Sequence, residues 1–480
     1  MPEPDVTQPD QTRPAEPQPW PAPQAPVPVT ATVVVPGSKS ETNRALVLAV
    51  LADGPSSIVN GLDARDTALM RDALRALGAT IDERPDGWHV TPPASFVGGG
   101  SVACGLAGTV MRFVPPLALL ADGPVSFDGD EQAYARPMAP LLGALRDLGA
   151  DVTTTRAADA LPFTVTPAQN QAGGRVSIDA SSSSQFVSAL LLVGARLRGG
   201  LEVVHEGGQV PSLPHIAMTV AMLRERGVDV DDSRADRWVV AEGPIAARDV
   251  AVEPDLSNAA PFLAAAAVTG GAVTVPHWPT GTLQPGDQLR DILAVFGAEV
   301  ELGEDGLTVR GTDQLLGTDL DLGGASELTP VVAALAALAR DTSRISGVAH
   351  VRGHETDRLA ALRTELEAMG ARVHETHDGL TIHPRLLAGG EFHTYADHRM
   401  AQAGAVLGLV VPDVVLDDVA CTSKTMPTFV EAWQQMLADS VTEVDEELAT
   451  EEDVDPEVDD PPSVLDGLLP VSSDESRSRP

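Results

Sequence analysis

The stretch Pro36-Gly37-Ser38-Lys39-Ser40-Glu41-Thr42-Asn43-Arg44 stands between a β-branched run, Thr30–Val35, and an apolar run, Ala45–Ala52. This order predicts a strand, a tight turn and a helix that begins inside the stretch. A helix N-terminus attracts anions through its free N–H groups and its macrodipole. Lys39, Arg44 and the two serines add positive charge and hydroxyl donors. We interpret the stretch as a cradle for a phosphate or carboxylate, although it lacks the spacing of a Walker A loop.

Composition and charge restrict the class of protein and its partners. The chain has 480 residues, 43% of them hydrophobic, which is enough for two or three domains with a sizeable core. A formal net charge of −37 argues against nucleic acid as a partner. The two cysteines, Cys104 and Cys421, are too few for a disulfide framework. Since there is no long apolar run and no basic-then-apolar leader, we expect a cytoplasmic protein without membrane contact.

Both ends of the chain differ in composition from its body. Residues 1–28 are rich in Pro, Gln and Glu and show no hydrophobic periodicity, so they are predicted to form a disordered tail. Residues 438–480 are predicted to form a second disordered tail, because Asp and Glu dominate them. A solubilising role for this acidic tail is favoured over a partner-binding role. Chemistry is therefore expected between residues 29 and 437.

A sequence motif of eight residues recurs through the body of the chain. The five copies are Leu74–Ile81, Leu145–Val152, Leu223–Val230, Leu293–Val300 and Leu366–Val373. Each copy is typical of the end of an amphipathic helix, a glycine at the C′ position and the start of a strand. A fixed period indicates a repeated supersecondary unit, and a period of roughly 70 residues favours compact pseudo-symmetric domains over a solenoid.

The repeat predicts how the chain divides into domains. A sixth unit would begin at Pro427–Met436 and lacks a following strand, which the N-terminal strand Val29–Val35 is a candidate to supply. Six units divide into three and three, with a boundary near residues 250–258. We therefore predict an α/β (α+β) fold with two pseudo-threefold domains, 38–252 and 29–37 plus 253–437. The cleft between the two domains is the expected ligand site.

Cationic side chains recur in loops beside Gly, Ser or Pro. They include Arg112, Arg136, Arg358, Arg399 and Lys424. Each alone is typical of a solvated surface or a salt-bridged turn. So many in an acidic protein indicate a substrate pair with several phosphate and carboxylate groups, which arginine binds in bidentate fashion. Glu327 and Glu355, which lie among these cations, are candidates for proton transfer.

Metal and thiol chemistry are less favoured by the sequence. The pair His354-Glu355 begins an H-E-x-x-H pattern that fails at Arg358, so no metal site is predicted. Cys104 has no histidine nearby in sequence and stands where a small packed residue is expected, which makes it a weak candidate nucleophile.

Several motifs together resemble the EPSP synthase family of 3-phosphoshikimate 1-carboxyvinyltransferases. They are Pro36–Arg44, Gly105–Arg112, Ser183–Phe186, Glu355–Arg358, Asp397–Met400 and Thr422–Thr425, and the resemblance covers roughly residues 30–437. It implies two domains of three βαβαββ units each. It also implies transfer of the enolpyruvyl group of phosphoenolpyruvate to the 5-hydroxyl of shikimate 3-phosphate in the shikimate pathway, with release of phosphate. The family needs no metal or organic cofactor, and a monomer that closes on its two small-molecule substrates is expected.

The resemblance also assigns roles to individual residues. Glu327, Glu355 and Lys39 would be catalytic: Glu327 as the base for the 5-hydroxyl, and Glu355 with Lys39 in protonation of the methylene carbon. Contacts with shikimate 3-phosphate are expected for Lys39, Ser40, Arg44, Ser183, Ser184, Gln185, Ser212, Glu327, His350 and His354. Contacts with phosphoenolpyruvate are expected for Lys39, Gly108, Arg136, Gln185, Arg358, Arg399 and Lys424. Gly108 would leave room for phosphoenolpyruvate, which implies sensitivity to its competitor glyphosate.

The sequence departs from the family pattern at a few positions. Glu327 stands where the family commonly has Asp, and His350 and His354 stand where it often has Asn and Lys. Because a histidine can lose its charge near neutral pH, we expect shikimate 3-phosphate binding to depend on pH more strongly than in a Lys-bearing relative. Leu106 and His215 replace a usual Asn and Tyr. Glu41 is expected to face away from the cationic cradle.

Two alternatives stay open at this point. One is the sister enolpyruvyl transferase that acts on UDP-N-acetylglucosamine, which normally carries a cysteine in the loop that here holds Arg136. The motif Ser183-Ser184-Gln185 favours shikimate 3-phosphate instead. The other is a non-catalytic anion-binding scaffold that works through the acidic tail, and the presence of Lys39 and both catalytic glutamates argues against it.

Overall fold

The protein is represented by a computed structural model that describes residues 16–156 and 159–452, with side chains described as far as residue 442. The strands in these ranges are β1 Trp20–Pro21, β2 Thr30–Thr32, β3 Ser56–Val59, β4 Thr80–Arg84, β5 Gly87–Thr91, β6 Ser101–Ala103, β7 Val125–Asp128, β8 Asp151–Thr154, β9 Phe163–Thr166, β10 Ala172–Ile178, β11 Arg198–His205, β12 Val230–Arg234, β13 Arg237–Val240, β14 Val250–Ala251, β15 Ala272–Val275, β16 Glu299–Gly303, β17 Gly306–Arg310, β18 Asp319–Asp321, β19 Ser343–Ser346, β20 Arg372–Thr376, β21 Gly379–His383, β22 Gly390–Phe392 and β23 Val414–Leu416.

Helices connect most of these strands. The α-helices of the same ranges are α1 Lys39–Leu51, α2 Arg65–Ala76, α3 Gly108–Phe113, α4 Ala139–Asp147, α5 Gln185–Gly194, α6 Leu213–Arg224, α7 Leu256–Thr269, α8 Leu289–Val295, α9 Thr329–Leu338, α10 Arg358–Ala368, α11 His398–Gly408 and α12 Phe429–Glu452. Short 3₁₀ helices lie at Pro115–Leu120, Glu131–Ala135, Pro285–Gln288, Ser326–Leu328, Ala349–Gly353 and Ala420–Lys424. None of the helices described here is long and apolar enough to cross a membrane.

The strands form six small sheets that share one pattern. In the sheet β6-β7-β9-β8, strands β6 and β7 are parallel, and the antiparallel hairpin of β8 and β9 extends this pair. Along the chain, helix α3 connects β6 to β7 and helix α4 connects β7 to β8. The orders β10-β11-β13-β12, β14-β3-β5-β4, β16-β17-β15-β2 and β18-β19-β21-β20 follow the same rule, and the sixth sheet is β1-β23-β22. These βαβαββ units confirm the predicted fold class.

The repeated glycines end helices as the sequence predicts. Gly78, Gly149, Gly227, Gly297 and Gly370 have φ angles of 98°, 92°, 78°, 99° and 108°. These angles lie in the left-handed region, where a side chain would be strained. After α2, the N–H of Ala79 donates to the carbonyl of Leu74 and the N–H of Gly78 donates to that of Arg75. This Schellman pattern satisfies the last carbonyls of the helix and turns the chain into β4.

The pairing of the N-terminal strands corrects one prediction. The segment Val29–Val35 does not complete the sixth unit, because its strand β2 pairs in parallel with β15 of the fourth unit. The sixth sheet instead receives β1, in which Trp20 lies opposite Leu416. Both pairings join strands that are far apart in sequence, so local periodicity could not predict which sheet each N-terminal strand joins.

The prediction of two disordered tails is also partly wrong. Trp20 is only 7% exposed and packs in the core of the second half, because one indole buries enough apolar surface to order a proline-rich segment. At the other end α12 continues to Glu452, and Ser440 Oγ accepts a hydrogen bond from the N–H of Thr30 at 3.0 Å. The rest of the predicted tails, residues 1–15 and 453–480, lies outside the described residues.

Buried apolar side chains form two separate cores. One core lies within residues 45–252, and the other combines residues 20–35 with residues 256–437. We refer to these as the first and second halves, and the exact domain boundaries stay a prediction. Between the halves the chain crosses twice, and the two crossing segments, residues 36–39 and 252–255, run beside each other. Ser38 N–H donates to the carbonyl of Glu253 at 2.7 Å, and Asp255 N–H donates to that of Pro36 at 2.8 Å.

The burial of Trp20 gives a prediction about stability. Trp20→Ala should lower the free energy of unfolding by about 3 kcal/mol, because it removes a buried aromatic side chain and leaves a cavity. Urea denaturation of the full-length chain measures this. Val34→Ala is the control, since Val34 is 71% exposed and its truncation should change stability by less than about 0.5 kcal/mol. Equal stability of the two variants would contradict the packing of the N-terminal segment.

Candidate active site between the two halves

Most of the predicted site residues lie together in one cleft between the halves. Those that line it are Lys39, Ser40, Gly108, Arg136, Ser183, Ser184, Gln185, Ser212, Glu327, His350, His354, Glu355 and Arg399. Arg358 and Lys424 lie behind this lining, where both contact Glu355. Arg44 lies beneath the cleft wall. The cleft therefore gathers residues from sequence motifs separated by more than three hundred positions.

Lys39 lies where the chain enters the first half. Its N–H, the first of α1, donates to Asp255 Oδ2 at 3.1 Å, and its Nζ lies 3.4 Å from Asp66 Oδ2. Asp66 is only 1% exposed, and neither of its carboxylate oxygens accepts a hydrogen bond from the described residues. Because a buried carboxylate needs a counter-charge, the contact with Asp66 holds the Lys39 ammonium at the cleft wall.

Two buried guanidinium groups flank Gly108. A Cβ at Gly108 would lie 3.0 Å from Arg136 Nη2 and 3.2 Å from Arg112 Nη1. Arg112 Nη1 donates to Gln185 Oε1 at 2.7 Å, and Arg136 Nη1 donates to the carbonyl of Leu106 at 2.9 Å. Burial, with Arg136 close by, lowers the pKa of Arg112 to about 9. Two adjacent buried cations are typical of an anion site, and a side chain at Gly108 would push them apart.

A chain of hydrogen bonds joins the halves at another point of the cleft. Ser212, which has a φ angle of 49°, donates its N–H to the carbonyl of Gly323 at 3.1 Å. Its Oγ lies 3.2 Å from Ser326 Oγ, which is in turn 2.8 Å from His350 Nε2. The left-handed backbone of a non-glycine residue is strained, so contacts from the second half help to hold Ser212 in place.

The two glutamates stand among cations of the second half. Glu327 Oε2 lies 3.2 Å from Arg358 Nη1 and 3.9 Å from Arg399 Nε. Burial opposes the ionisation of Glu327, but the charges of Arg358, Arg399 and Lys39 outweigh it and hold its pKa well below the usual range. Glu327 is therefore an anion in the free cleft, which is the form that can accept a proton.

Glu355 has an even denser set of positive neighbours. It contacts Lys424 Nζ directly, and it lies 3.4 Å from Arg358 Nη2 and 4.0 Å from Arg136 Nη1 across the cleft. Burial opposes its ionisation, but Lys424, Arg136 and Arg358 together hold the pKa of Glu355 well below its usual range. The ion pair with Arg136 joins the two halves.

A bidentate ion pair fixes Arg358 behind the glutamates. Its Nε and Nη2 donate to the two carboxylate oxygens of Asp397 at 2.8 and 3.1 Å, and both side chains are fully buried. Asp397 also caps α11 by accepting the N–H of Arg399 at 2.9 Å. One carboxylate thus positions Arg358 directly and Arg399 through the start of its helix.

Histidines of the cleft are neutral in this arrangement. Arg358 Nη1, which can only donate, lies 3.1 Å from His354 Nδ1, so this ring nitrogen is an acceptor. Burial and the charge of Arg358 lower the pKa of His354 to about 3 and that of His350 to about 4. His398 also lines the cleft, and burial followed by Arg399 and Lys39 lowers its pKa far below 6.5.

The structure gives Arg44 and Glu41 roles outside the cleft. Arg44 donates to Thr219 Oγ1 at 2.7 Å, to the carbonyl of Ser40 at 2.9 Å and to that of His215 at 3.1 Å. In the free protein Arg44 thus supports the wall that carries Ser40, and its contact with shikimate 3-phosphate stays a prediction. Glu41 turns away from the cleft, because its Oε2 accepts the N–H of Glu253 at 3.0 Å.

Several cleft residues had no predicted role in substrate binding. They include Thr109, Arg112, Asp255 and His398 in the lining, and Asp66 behind Lys39. Arg112 and His398 stand inside motifs that the sequence had already singled out, and Arg112 was one of the cationic candidates, but neither was assigned a substrate. Asp66 carries no such signal, since an acid in the first turn of a helix is ordinary.

Comparison with known proteins gives the family. The family model described as EPSP synthase (3-phosphoshikimate 1-carboxyvinyltransferase) matches residues 23–433. Two solved structures of EPSP synthase from Acinetobacter baumannii are each 23% identical and cover 87% of this chain, with 97% and 98% of their own chains covered and TM-scores of 0.71 and 0.70. The enolpyruvyl transferase NikO from Streptomyces tendae is 19% identical, with 88% of this chain and 98% of that chain covered and a TM-score of 0.68.

The chain's only two lysines, Lys39 and Lys424, give a prediction about the cleft. Inorganic phosphate should slow reductive methylation of both ammonium groups, because it would bind among the cations around them. Peptide mass spectrometry of protein treated with formaldehyde and borane, with phosphate or with chloride at equal ionic strength, measures the two rates. The N-terminal amine is the internal control. Equal rates in both salts would count against an anion site here.

Proposed function

The chain belongs to the EPSP synthase family, and from this membership we propose that it transfers the enolpyruvyl group of phosphoenolpyruvate to the 5-hydroxyl of shikimate 3-phosphate. The products would be 5-enolpyruvylshikimate 3-phosphate and phosphate, a step in the synthesis of aromatic amino acids. One observation carries the proposal. Two ionised glutamates and Lys39 face a single cleft whose walls also hold two groups of cations, as two anionic substrates and a proton transfer require.

Phosphoenolpyruvate would bind where the two halves approach each other. Arg136 from the first half and Lys424 and Arg399 from the second surround this part of the cleft, and they suit a ligand with one phosphate and one carboxylate. Gly108 supports this placement, because a Cβ there would displace Arg136 and Arg112. Gln185, which accepts from Arg112, would contact both substrates.

Shikimate 3-phosphate would lie against Lys39 and the serine-lined wall. Ser183 and Ser184 precede α5, and Ser212 precedes α6, so their hydroxyl groups can donate to a phosphate at two helix starts. His350 and His354 face the same region from the second half. A ligand here would contact both halves and favour their approach.

The reaction then follows from charge and position. Glu327 would accept the proton of the 5-hydroxyl while the hydroxyl oxygen forms a bond with C2 of phosphoenolpyruvate. A proton from Lys39, or from Glu355 once it has gained one, would go to the methylene carbon, which gives a tetrahedral intermediate. The bond from C2 to the phosphate oxygen would then break, and the methyl group would return a proton to the group that supplied one, Lys39 or Glu355, which restores the double bond. Closure of the halves would exclude water from these steps.

The alternatives are less well supported. A transferase of the UDP-N-acetylglucosamine type would use a cysteine, but Cys104 is fully buried and burial raises the pKa of its thiol. The other cysteine, Cys421, also has a raised pKa because of burial. A non-catalytic scaffold would not need an ionised Glu327 facing Lys39 in the same cleft.

Phosphate release measured with purified protein tests the function. We expect release when phosphoenolpyruvate and shikimate 3-phosphate are both present and none with either alone. Release with phosphoenolpyruvate and UDP-N-acetylglucosamine instead would move the activity to the sister reaction. No release with either pair would contradict enolpyruvyl transfer to these acceptors.

Substitutions test the assigned roles. Glu327→Gln, Glu355→Gln and Lys39→Met should each lower kcat by at least about 100-fold, because each removes a group that moves or holds a proton in the transition state. Glu301→Gln, the same change on an exposed strand position, is the matched control and should keep full turnover. A normal kcat in one of these three variants would contradict the role assigned to the residue that was changed.

The histidines predict the direction of the pH dependence. Both are neutral in the free cleft, since their pKa values are about 4 and about 3. A bound phosphate dianion would raise both pKa values, so binding takes up protons and weakens as the pH rises. We expect the KM for shikimate 3-phosphate to increase as the pH rises above about 4, up to the raised pKa values that the two histidines have in the complex.

A lysine substitution isolates this effect. His354→Lys, which keeps a positive charge over that range, should flatten the pH profile of KM. His374→Lys, at an exposed position of β20, is the control and should leave the profile unchanged. A flat KM profile in the parent protein would contradict the role of the two histidines.

A further inference from the structure

A second groove lies between the halves, next to the crossing segments and separate from the catalytic cleft. One wall is the face of α6 and its following turn that carries Met218, Ala221, Met222, Glu225 and Arg226, at helical spacings of three and four. The facing wall carries Glu41, Val250 and Glu253 and, from the second half, residues 281–283. We call this the crossing groove.

Arg226 is a buried cation with two nitrogen atoms that have no hydrogen-bond partner among the described residues. It is 2% exposed and lines the crossing groove, and its Nε and Nη2 donate to no acceptor among the described residues. Burial, with Arg248 nearby, lowers the pKa of its guanidinium to about 10. Because burying guanidinium N–H groups without acceptors is costly, a ligand with an acceptor such as a carboxylate would satisfy two nitrogen atoms that the described residues leave unpaired.

Three carboxylates and one guanidinium line the groove. Burial raises the pKa of Glu41 to about 7, and the charges of Glu253 and Glu225 add to this rise. Glu225 has Arg248 at 3.4 Å, while Glu253 Oε2 accepts from Thr282 and from Gln284. Three carboxylates that face one guanidinium favour a ligand that also brings an ammonium group.

We propose that the crossing groove binds an α-amino acid with an apolar side chain. Its carboxylate would pair with Arg226, and its ammonium would lie among Glu41, Glu225 and Glu253. Its side chain would pack on Met222 and on Leu283, a residue that is 45% exposed. The three carboxylates disfavour a net anion, and the buried guanidinium disfavours a simple cation. Both charges together with an apolar wall match a zwitterion.

Occupancy of the groove would affect the catalytic cleft. Met218 lines both spaces, and the groove is lined by both halves. A ligand that contacts α6 and residues 281–283 together would stabilise the arrangement in which Ser212 bonds to Gly323 and Arg136 pairs with Glu355. Binding in the groove and binding in the cleft would therefore favour each other, and this coupling is reciprocal. The coupling rests on the proposed function, whereas binding in the groove does not.

Calorimetry of the full-length protein without substrates tests the binding. L-phenylalanine should bind at least about tenfold more tightly than 2-phenylethylamine, which lacks the carboxylate, or 3-phenylpropionate, which lacks the ammonium. Gly281→Trp should abolish binding, because a Cβ at Gly281 meets none of the described atoms within 4 Å and a bulky side chain would fill the groove. Gly243→Trp, at an equally open glycine outside the groove, is the matched control and should bind normally.

Arg226→Gln separates charge recognition from packing. It should weaken L-phenylalanine to the level of 2-phenylethylamine and leave the amine unaffected, which a merely structural role would not do. Absence of L-phenylalanine binding, or binding unchanged by Gly281→Trp, would overturn the proposal. The measurement on Gly281→Trp tests the proposal even if Arg226→Gln does not fold.

A kinetic measurement tests the coupling. Saturating L-phenylalanine should lower the KM for shikimate 3-phosphate in the parent protein and leave it unchanged in Gly281→Trp. An unchanged KM in the parent, with binding present, would reject the coupling alone. Binding of L-phenylalanine without any phosphate release would reject the proposed transferase while leaving the groove site in place. Phosphate release without binding of L-phenylalanine would reject the groove site while leaving the transferase in place.

Discussion

The two paired crossing segments are the constraint on which the rest of the structure depends. Residues 36–39 and 252–255 are the places where the chain passes between the cores, and their backbone groups bond to each other. The same few residues begin α1 and present Lys39, whose N–H is held by Asp255 from the other crossing. The joint between the halves and the start of the catalytic cleft are therefore one piece of structure. A relative movement of the halves would therefore change the surroundings of Lys39.

Charge in the cleft is organised differently from charge on the rest of the protein. The chain carries a formal net charge of −37, yet its only two lysines and several of its buried arginines face or back a single cleft. Such a local cationic focus can attract anions against the overall field, because nearby charges in a low-dielectric cleft dominate over distant ones in water. Asp66 and Asp397 each hold a cation in place rather than cancel the focus.

Sequence reasoning succeeded where the signal is local. The glycine that recurs in each repeat reports a left-handed helix end, which depends on adjacent residues alone, so units and sheets could be predicted from it. Motifs that follow strands and begin helices were likewise placed on the cleft, because loops at such junctions converge between two packed cores.

Sequence reasoning failed where the outcome depends on packing between distant segments. The choice of β15 for the N-terminal strand and the insertion of Trp20 beside Leu416 are decided by non-local burial. The same applies to the hydrogen bonds of Arg44, whose contact with a substrate stays a prediction. Its guanidinium donates to Thr219 and to the carbonyl of His215, both in α6, and only the tertiary structure brings these acceptors there. Asp66 was missed for a related reason, since its importance lies in the distance to Lys39 and not in its local sequence.

The ionisation of Glu355 shows how binding and chemistry can be linked in such a cleft. In the free protein three cations hold this carboxylate as an anion, so it has no proton to give. A phosphate or carboxylate that binds between Arg136 and Lys424 competes for the same two cations. Each interaction that Glu355 loses in this competition raises its pKa, and closure of the halves adds desolvation in the same direction. A group that is only an anion in the empty cleft would thus become able to hold a proton when an anionic ligand is present. Under the proposed function, protonation of a reactive carbon would thereby be restricted to the loaded cleft.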